Sequence, residues 1–309
     1  MRLKTKLAAV AMAWSLLGVS AFAVPEGWTD DFTAAKADAA ASGKDLLMDF
    51  TGSDWCGWCI RLREEVFDTE AFKAAAPDNF VFVELDFPNS VPQTDKVKAQ
   101  NAALSQKFGV QGYPTIILAD AAGRPYAQTV YQAGGAEAYL AHLDGLQAIR
   151  VARDEAFAAA ESAEGVEKAK ALDAALNVVG LELAGAHYGE TVVEIIALDP
   201  DNAAGLKDKY EQIYREAQVE ADMQEAFGLL EAGNYAAGLA RLDQVIEDHE
   251  PADEQLQMIT AIKGQVYVQM GDMEKAIQSL QEAIAVMPDS EIAPQIQEFI
   301  GQLQAAPAQ

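Results

Sequence analysis

Cys56 and Cys59 are the two cysteines of this 309-residue chain, and only Gly57 and Trp58 separate them. A C-x-x-C spacing lets two sulfurs close into a disulfide or open into a dithiol. The same turn places the first cysteine where a helix can begin, and the unpaired N–H groups of a helix start favour a thiolate over a thiol. Because the thiolate is the attacking species in disulfide exchange, the spacing predicts redox chemistry.

Metal binding is the alternative chemistry for such a pair. Zinc usually takes four ligands, and the chain adds only three histidines, His142, His187 and His249, none of them at a ligand spacing. A complete zinc site within one chain is therefore not expected. A site shared by two copies of the pair is possible, but nothing in the sequence supports it.

The segments around the pair predict an α/β domain. A buried strand ends just before the cysteines, further strands alternate with helices, and Gly123 marks a hairpin turn before the last strand. Pro88 and Pro92 indicate an inserted loop over residues 86–97. The predicted strands are 44–51, 79–86, 116–119 and 126–131, and the predicted helices are 56–66, 101–108 and 136–146.

Four motifs in this order resemble the thioredoxin-fold family. They are Asp49-Phe50 at the end of the first strand, Trp-Cys-Gly-Trp-Cys at 55–59, Gly-Tyr-Pro-Thr at 112–115 and Ala-Gly-Gly at 133–135. The sequence around the cysteines resembles that of exported thioredoxin-like proteins and of the soluble domain of periplasmic disulfide reductases. The resemblance implies an α/β thioredoxin fold and covers the domain that we assign to residues 24–147.

The resemblance also implies roles for three residues. Cys56 would be the nucleophile and Cys59 the resolving thiol. Asp49 matches a buried carboxylate that can take the proton of the resolving thiol. The loop from Asp49 to Cys56 looks one residue longer than in ordinary thioredoxins, so a carboxylate that only caps a turn is the alternative.

Four further residues are predicted to contact the substrate by the same resemblance. Pro114 matches the family's cis-proline, and the backbone of Tyr113 would pair with the substrate chain; an ordinary trans-proline turn is the alternative. Trp55 matches the family's tryptophan before the first cysteine. Trp58 replaces the more common proline and would either shape the substrate-facing surface or pack against a neighbouring loop.

The resemblance implies no organic cofactor, because the redox group would be the Cys56–Cys59 disulfide itself. The chain has no third cysteine for an internal relay, so electrons would pass to or from a partner redox protein. The other expected partners are protein thiols and disulfides. Whether the protein acts as reductase, oxidase or isomerase depends on a potential that the sequence does not give.

The first 23 residues are predicted to be a signal peptide. Arg2, Lys4 and Lys6 precede an apolar stretch over residues 7–22, and Ala21-Phe22-Ala23 fits a cleavage site. The prediction is an exported protein, in a periplasm, with no stable membrane span after cleavage. An uncleaved membrane anchor is the alternative.

Residues 148–309 are predicted to form an all-α domain of tetratricopeptide-like repeats. The last unit spans Gly264 to Pro288 with Gly271-Asp272 in its turn, a second unit spans Ala226 to Val245, and a degenerate one lies further back. Such arrays offer a concave surface for peptides or proteins, so partner binding is expected. The alternative is that the repeats only support or dimerise the redox domain.

Both halves are acidic. Residues 24–145 contain 18 acidic and 9 basic side chains, and residues 146–309 contain 30 and 10. This balance argues against nucleic acid as a partner. The leading prediction is an exported thiol–disulfide oxidoreductase whose helical repeats bind partners. The second is a non-enzymatic interaction or chaperone protein in which the redox motif is secondary.

Overall fold

The structure, a computed structural model, describes residues 24–305. The predicted signal peptide lies outside the described residues. The strands are β1 (Trp28–Thr29), β2 (Asp45–Thr51), β3 (Phe80–Asp86), β4 (Thr115–Ala119) and β5 (Pro125–Thr129). The helices are α1 (Phe32–Ser42), α2 (Gly57–Leu62), α3 (Glu70–Ala75), α4 (Asp95–Lys107), α5 (Gly135–Glu161), α6 (Gly165–Val179), α7 (Leu181–His187), α8 (Gly189–Leu198), α9 (Leu206–Glu231), α10 (Tyr235–His249), α11 (Asp253–Gln269), α12 (Met273–Val286) and α13 (Ala293–Ala305).

One mixed sheet forms the centre of the first domain, with strand order β1-β3-β2-β4-β5. β3 is parallel to both β1 and β2, whereas β4 is antiparallel to both β2 and β5. Apolar side chains of α2, α3 and α5 pack on one face, and those of α1 and α4 pack on the other. The chain thus consists of an α/β domain with a thioredoxin fold followed by an all-helical part, which confirms the predicted fold class at this level.

β2 is the central strand, and all seven of its residues are buried. A strand covered on both faces is expected to be apolar throughout. Asp45 and Asp49 break this rule, so each of these carboxylates needs a partner or a function. Arg150 and Tyr126 bind Asp45 through its two carboxylate oxygens, at 2.5 and 2.9 Å.

All three predicted helices have different bounds in the structure. α4 begins at Asp95 rather than at residue 101, because the Thr94 side chain accepts a hydrogen bond from the Val97 N–H and caps the helix. The predicted inserted loop therefore ends at Thr94. The helix after the cysteines is α-helical only to Leu62 and continues as one wider π-helical turn, Arg63–Phe67. β1, α1 and α3 were not anticipated from the sequence.

α5 extends well beyond the predicted end at residue 146 and reaches Glu161. Residues 147–161 contain neither glycine nor proline and are rich in strong helix formers, so nothing in this stretch ends the helix. The predicted domain boundary at 147/148 lies inside this helix. α5 therefore belongs to both parts of the molecule.

Residues 165–305 are helical with short connections. α9 packs against α10 and α11 against α12, and Gly271 lies at φ +78° in the turn between the second pair, as predicted. Gly264 permits a close approach of α11 and α12, because a Cβ there would lie 2.7 Å from the Leu280 side chain. Within residues 24–305, none of the helices combines the length and the apolar character needed to cross a bilayer.

A buried arginine joins the helices to the sheet domain. Arg153 of α5 donates hydrogen bonds to Tyr188 Oη at 2.8 Å and to Asp120 Oδ2 at 3.2 Å. The Tyr188 hydroxyl in turn donates to the Pro125 carbonyl at 2.7 Å. Because a buried guanidinium needs such partners, these contacts fix α8 and the end of β4 against α5.

Candidate active site

The two cysteines form a disulfide at the beginning of α2. Cys56 is the N-cap residue, and its Sγ accepts a hydrogen bond from the Cys59 N–H at 3.2 Å. Cys56 is 7% exposed and Cys59 3% exposed. The helix start therefore directs the Cys59 N–H at the first sulfur, which is a geometry that stabilises a thiolate there after reduction.

The turn before α2 is fixed to the loop after β3. The Asp54 carboxylate accepts hydrogen bonds from the Asn89 N–H at 2.9 Å and the Ser90 N–H at 2.6 Å. These backbone donors, with Asn89 the stronger, lower the pKa of Asp54. Ser53 also donates its hydroxyl to Asp86 at 2.6 Å. The inserted loop thus holds the residues immediately before the cysteines in place.

Trp55 and the proline loop meet beside the disulfide. The Tyr113–Pro114 peptide bond is cis, as predicted. The Tyr113 ring packs edge-on against the Trp55 ring, with centroids 5.8 Å apart, and it also packs on Phe87 at 5.2 Å. Trp55 Nε1 donates to the Phe87 carbonyl at 2.7 Å. Trp55 is nevertheless 46% exposed, so its ring presents an apolar surface to solvent.

Trp58, between the two cysteines, is 56% exposed. Its ring contacts the ring of Tyr131 at 5.3 Å between centroids, and the Arg61 guanidinium lies near both rings. Tyr131 and Arg61 each donate to the Glu65 carboxylate, at 2.6 and 2.7 Å. Trp58 therefore both packs on the neighbouring segment and remains open to a partner.

Asp49 lies in the middle of β2, only 2% exposed. Burial raises its pKa to about 7, an effect that the nearby Arg63 guanidinium only partly opposes. Arg63 Nη2 lies 3.5 Å from Asp49 Oδ2, and Oδ1 has no hydrogen-bond partner among the described residues. A carboxyl group with a pKa near neutrality can gain and lose a proton at physiological pH.

Glu84 is a second buried carboxylate that the sequence did not reveal. It lies directly opposite Asp49 in the β2–β3 pairing and accepts a hydrogen bond from Arg63 Nη2 at 2.6 Å. Burial raises the pKa of Glu84 to about 7 as well. Period-two alternation was the available signal, since it places Glu84 on the same face of β3 as the buried Phe80 and Phe82.

Asp49, Glu84 and Arg63 form a buried group of two acids and one base. Arg63 is much closer to Glu84 than to Asp49, so its charge stabilises the Glu84 carboxylate more strongly. Two ionised carboxylates beside one guanidinium repel each other, which favours a proton on Asp49. Arg63 is thus paired mainly with Glu84, and Asp49, with a pKa of about 7, can gain and lose a proton near neutral pH.

Each of the three histidines contacts a different part of the molecule. His142 lies 2.8 Å from Thr129 Oγ1, His187 packs on Phe108, and His249 lies 2.6 Å from Asp222 Oδ2. The described residues contain no cluster of three or more His, Cys, Asp or Glu side chains that could hold a metal ion.

Residues 32–146 match the model of a family described as a thioredoxin-like domain. Residues 32–146 form a thioredoxin-like domain. The match begins at α1 and ends inside α5, and it contains the disulfide, the cis-proline loop and Asp49.

Curated relatives of the thioredoxin-like domain are named for disulfide chemistry. The disulfide bond reductase DsbH of Chlamydia pneumoniae is 29% identical over 121 residues, which are 39% of this chain and 73% of the relative. The thioredoxin-related protein DsbJ of the same organism is 34% identical over 91 residues, 29% of this chain and 26% of the relative. The thiol:disulfide interchange protein DsbD of Pseudoalteromonas atlantica is 31% identical over 96 residues, which are 31% of this chain and 14% of the relative.

The chain thus spans about a quarter or less of two of these relatives. A solved structure of a DsbH oxidoreductase aligns with 38% of this chain and 81% of its own, with 29% identity and a TM-score of 0.37. The family match and the Cys56–Cys59 disulfide support thiol–disulfide oxidoreductase chemistry for the thioredoxin-like domain.

Proposed function

We propose that the protein is an exported thiol–disulfide reductase that acts on protein disulfides through Cys56 and Cys59. The observation that supports this most is the Cys56–Cys59 disulfide at the start of α2, beside the cis Tyr113–Pro114 bond. The relative named a disulfide bond reductase supports the reductive direction. The basic and apolar first 23 residues support export.

The proposed reaction begins from the dithiol. The Cys56 thiolate attacks one sulfur of a substrate disulfide. The substrate S–S bond breaks, and the other substrate sulfur leaves as a thiolate. Cys56 is then joined to the substrate in a mixed disulfide. The Cys59 thiol gives its proton to the Asp49 carboxylate and attacks Cys56 Sγ. The Cys56–Cys59 disulfide forms, the mixed disulfide bond breaks, and the second substrate sulfur also leaves as a thiolate. The two electrons lost by the dithiol have then reduced the two substrate sulfurs.

The exposed aromatic rings give the substrate a surface next to the reacting sulfurs. Trp55, just before the cysteines, packs on Tyr113, and Trp58, between them, packs on Tyr131. Rings of this size bury a large apolar area when a polypeptide covers them. We assign them to holding the substrate chain, with the backbone of Tyr113 free to pair with it.

The oxidised protein needs an electron donor to act again. Two electrons must return to the disulfide in each cycle, and the chain has no third cysteine that could supply them. A partner protein with a dithiol is therefore assigned as the donor. The helical part, which we assign to tetratricopeptide-like repeats over residues 148–309, would bind such partners or substrates.

Insulin reduction with dithiothreitol as electron source tests the activity. We expect the wild-type protein to accelerate reduction and the Cys56→Ser variant to behave like the reaction without enzyme. Equal rates for the two proteins would disprove the proposed activity. The Cys56–Cys59 potential in a glutathione buffer tests the direction: a value near that of thioredoxin, about −270 mV, supports a reductase, and one near about −120 mV supports an oxidase.

A further inference from the structure

A cleft of about 1860 Å³ lies between the thioredoxin-like domain and the helices that follow it. One side is formed by the cis-proline loop, with Tyr113 and Pro114, and by Gln128 and Val130 at β5. The other side is formed by α7 and α9. Pockets for small ligands usually measure about 300–1,000 Å³, so this cleft is larger than a small disulfide compound requires.

One continuous face of α9 forms the long wall of the cleft. Eight of the nine α9 residues that line the cleft recur at intervals of three and four, which places them on a single side of the helix, and the ninth is Gln218. At 1.5 Å per residue the lining covers roughly 24 Å, a length that an extended polypeptide of about seven residues would span. The residues are Lys209, Gln212, Ile213, Glu216, Ala217, Glu220, Ala221 and Gln224.

Amide side chains dominate the polar lining. Each glutamine offers a donor and an acceptor, which is the pair of groups that the backbone of an extended chain presents. The charged lining residues include two lysines and three glutamates, so the cleft is nearly balanced in a protein with net charge −26. The glutamines are Gln111, Gln128, Gln212, Gln218, Gln224 and Gln255.

The cleft is continuous with the redox site by two routes. Tyr113 lines the cleft and packs edge-on against Trp55, the residue before Cys56. Val130 also lines it, is 48% exposed, and precedes Tyr131, whose ring contacts Trp58 between the cysteines. A chain attached to Cys56 can therefore leave the cysteine turn along either aromatic pair and enter the cleft.

We propose that this cleft binds the extended polypeptide that flanks the disulfide of a protein substrate, with α9 and the cis-proline loop as its two walls. The inference rests on the proposed reductase function and adds to it a role for the helices. α9 would recognise substrate backbone largely independently of sequence, because its amides pair with peptide groups and its central alanines leave room for side chains. Substrates would then be unfolded or extended chains rather than small disulfides.

The test compares two oxidants of the pre-reduced full-length protein. Insulin presents a polypeptide around its disulfides, whereas hydroxyethyl disulfide has no chain to place in the cleft. The second-order rate constant of each reaction is measured in single turnover from tryptophan fluorescence, which needs no electron donor. Ala221→Trp fills the cleft at an exposed position of α9, and Ala240→Trp adds the same ring at an exposed position of α10 outside the cleft.

We expect Ala221→Trp to lower the ratio of the insulin to the hydroxyethyl disulfide rate constant at least about tenfold, and Ala240→Trp to change it less than about twofold. The double variant Gln212→Ala/Gln224→Ala should lower the ratio about threefold or more. Thermal unfolding of each variant identifies one that fails to fold, and the glutamine variant then decides. A ratio unchanged in both cleft variants, or lowered equally by Ala240→Trp, would overturn the proposal. A wild-type protein that reduces neither compound would instead overturn the proposed reductase function.

Discussion

At the scale of single residues, the proposed transfer of the Cys59 proton depends on the buried charges around Asp49. Asp49 has a pKa of about 7 because burial disfavours its charged form, and its Oδ1 is unpartnered among the described residues. Arg63 is held closer to Glu84 and so does not lock Asp49 in the ionised state. The group is therefore prepared to accept a proton at neutral pH.

Replacing Asp49 by Asn should slow the second step of the reaction. An amide cannot accept the Cys59 proton, so release of substrate from the mixed disulfide should slow by roughly 10- to 100-fold, while attack by Cys56 changes little. In the wild-type protein this release should accelerate as the pH rises through about 7. Rapid-quench analysis of the mixed disulfide measures both steps. A wild-type pH profile retained by Asp49→Asn would contradict the role.

The same pKa makes a prediction about stability. The folded state holds a proton on Asp49 up to a pH of about 7, whereas the unfolded chain releases it near 3.8. This proton stabilises the fold fully below pH 3.8, and the contribution is lost as the pH rises through about 7. Asp49→Asn has no such proton to lose, so only the wild-type protein should lose this stability. The free energy of unfolding of the variant minus that of wild type should therefore rise by on the order of 3 kcal/mol between pH 4 and pH 8. Urea unfolding at the two pH values measures this, and a constant difference would be the contrary result.

The sequence predicted the residues that lie in short motifs and missed those whose role depends on contacts with residues distant in the sequence. Cys56, Cys59 and Pro114 lie in short motifs, and the structure shows the expected disulfide and cis bond. Glu84 gains its role only from its pairing with Asp49 across two strands. Arg63 lies one turn beyond Cys59, but its contact with Glu84 spans 21 residues of sequence.

At the scale of elements, α5 joins the redox domain to the helices. Its N-terminal half packs on the sheet, and the side chain of Arg153, 1% exposed, binds Asp120 and Tyr188. The predicted end of this helix at residue 146 coincides with the end of the thioredoxin-like family match. The continuation to Glu161 follows from helix-forming residues, but the contact of Arg153 with Tyr188, at the start of α8, depends on how the chain folds back, which periodicity does not specify.

Arg153→Ala should destabilise the protein by about 3 kcal/mol, because it leaves the Asp120 carboxylate and the Tyr188 hydroxyl with fewer partners in a buried site. Arg124→Ala is the matched control. It removes a second arginine from the same carboxylate, but the Arg124 side chain is 53% exposed, so the expected loss is below about 1 kcal/mol. Chemical unfolding measures both values, and equal losses would mean that Arg153 does not fix the two parts together.

At the scale of the whole molecule, the strong acidity should influence which substrates meet the site. The net charge of −26 attracts basic proteins and repels acidic ones over distances set by the Debye length. The rate constant for a basic protein disulfide, such as that of scrambled ribonuclease, should fall when ionic strength rises from about 0.01 to 0.15 M. Insulin, which is acidic, should show no such fall. Identical salt dependence for both proteins would show that charge does not steer the encounter.

The most direct test of the account is to trap the covalent intermediate. The Cys59→Ser variant lacks the resolving thiol, so Cys56 should remain joined to a protein substrate in a mixed disulfide that non-reducing electrophoresis and peptide mass mapping detect. The Cys56→Ser variant keeps the buried Cys59 and should trap nothing. We predict an adduct at Cys56 in the first variant only; equal trapping by both variants, or no adduct in either, would contradict the assignment of Cys56 as the nucleophile.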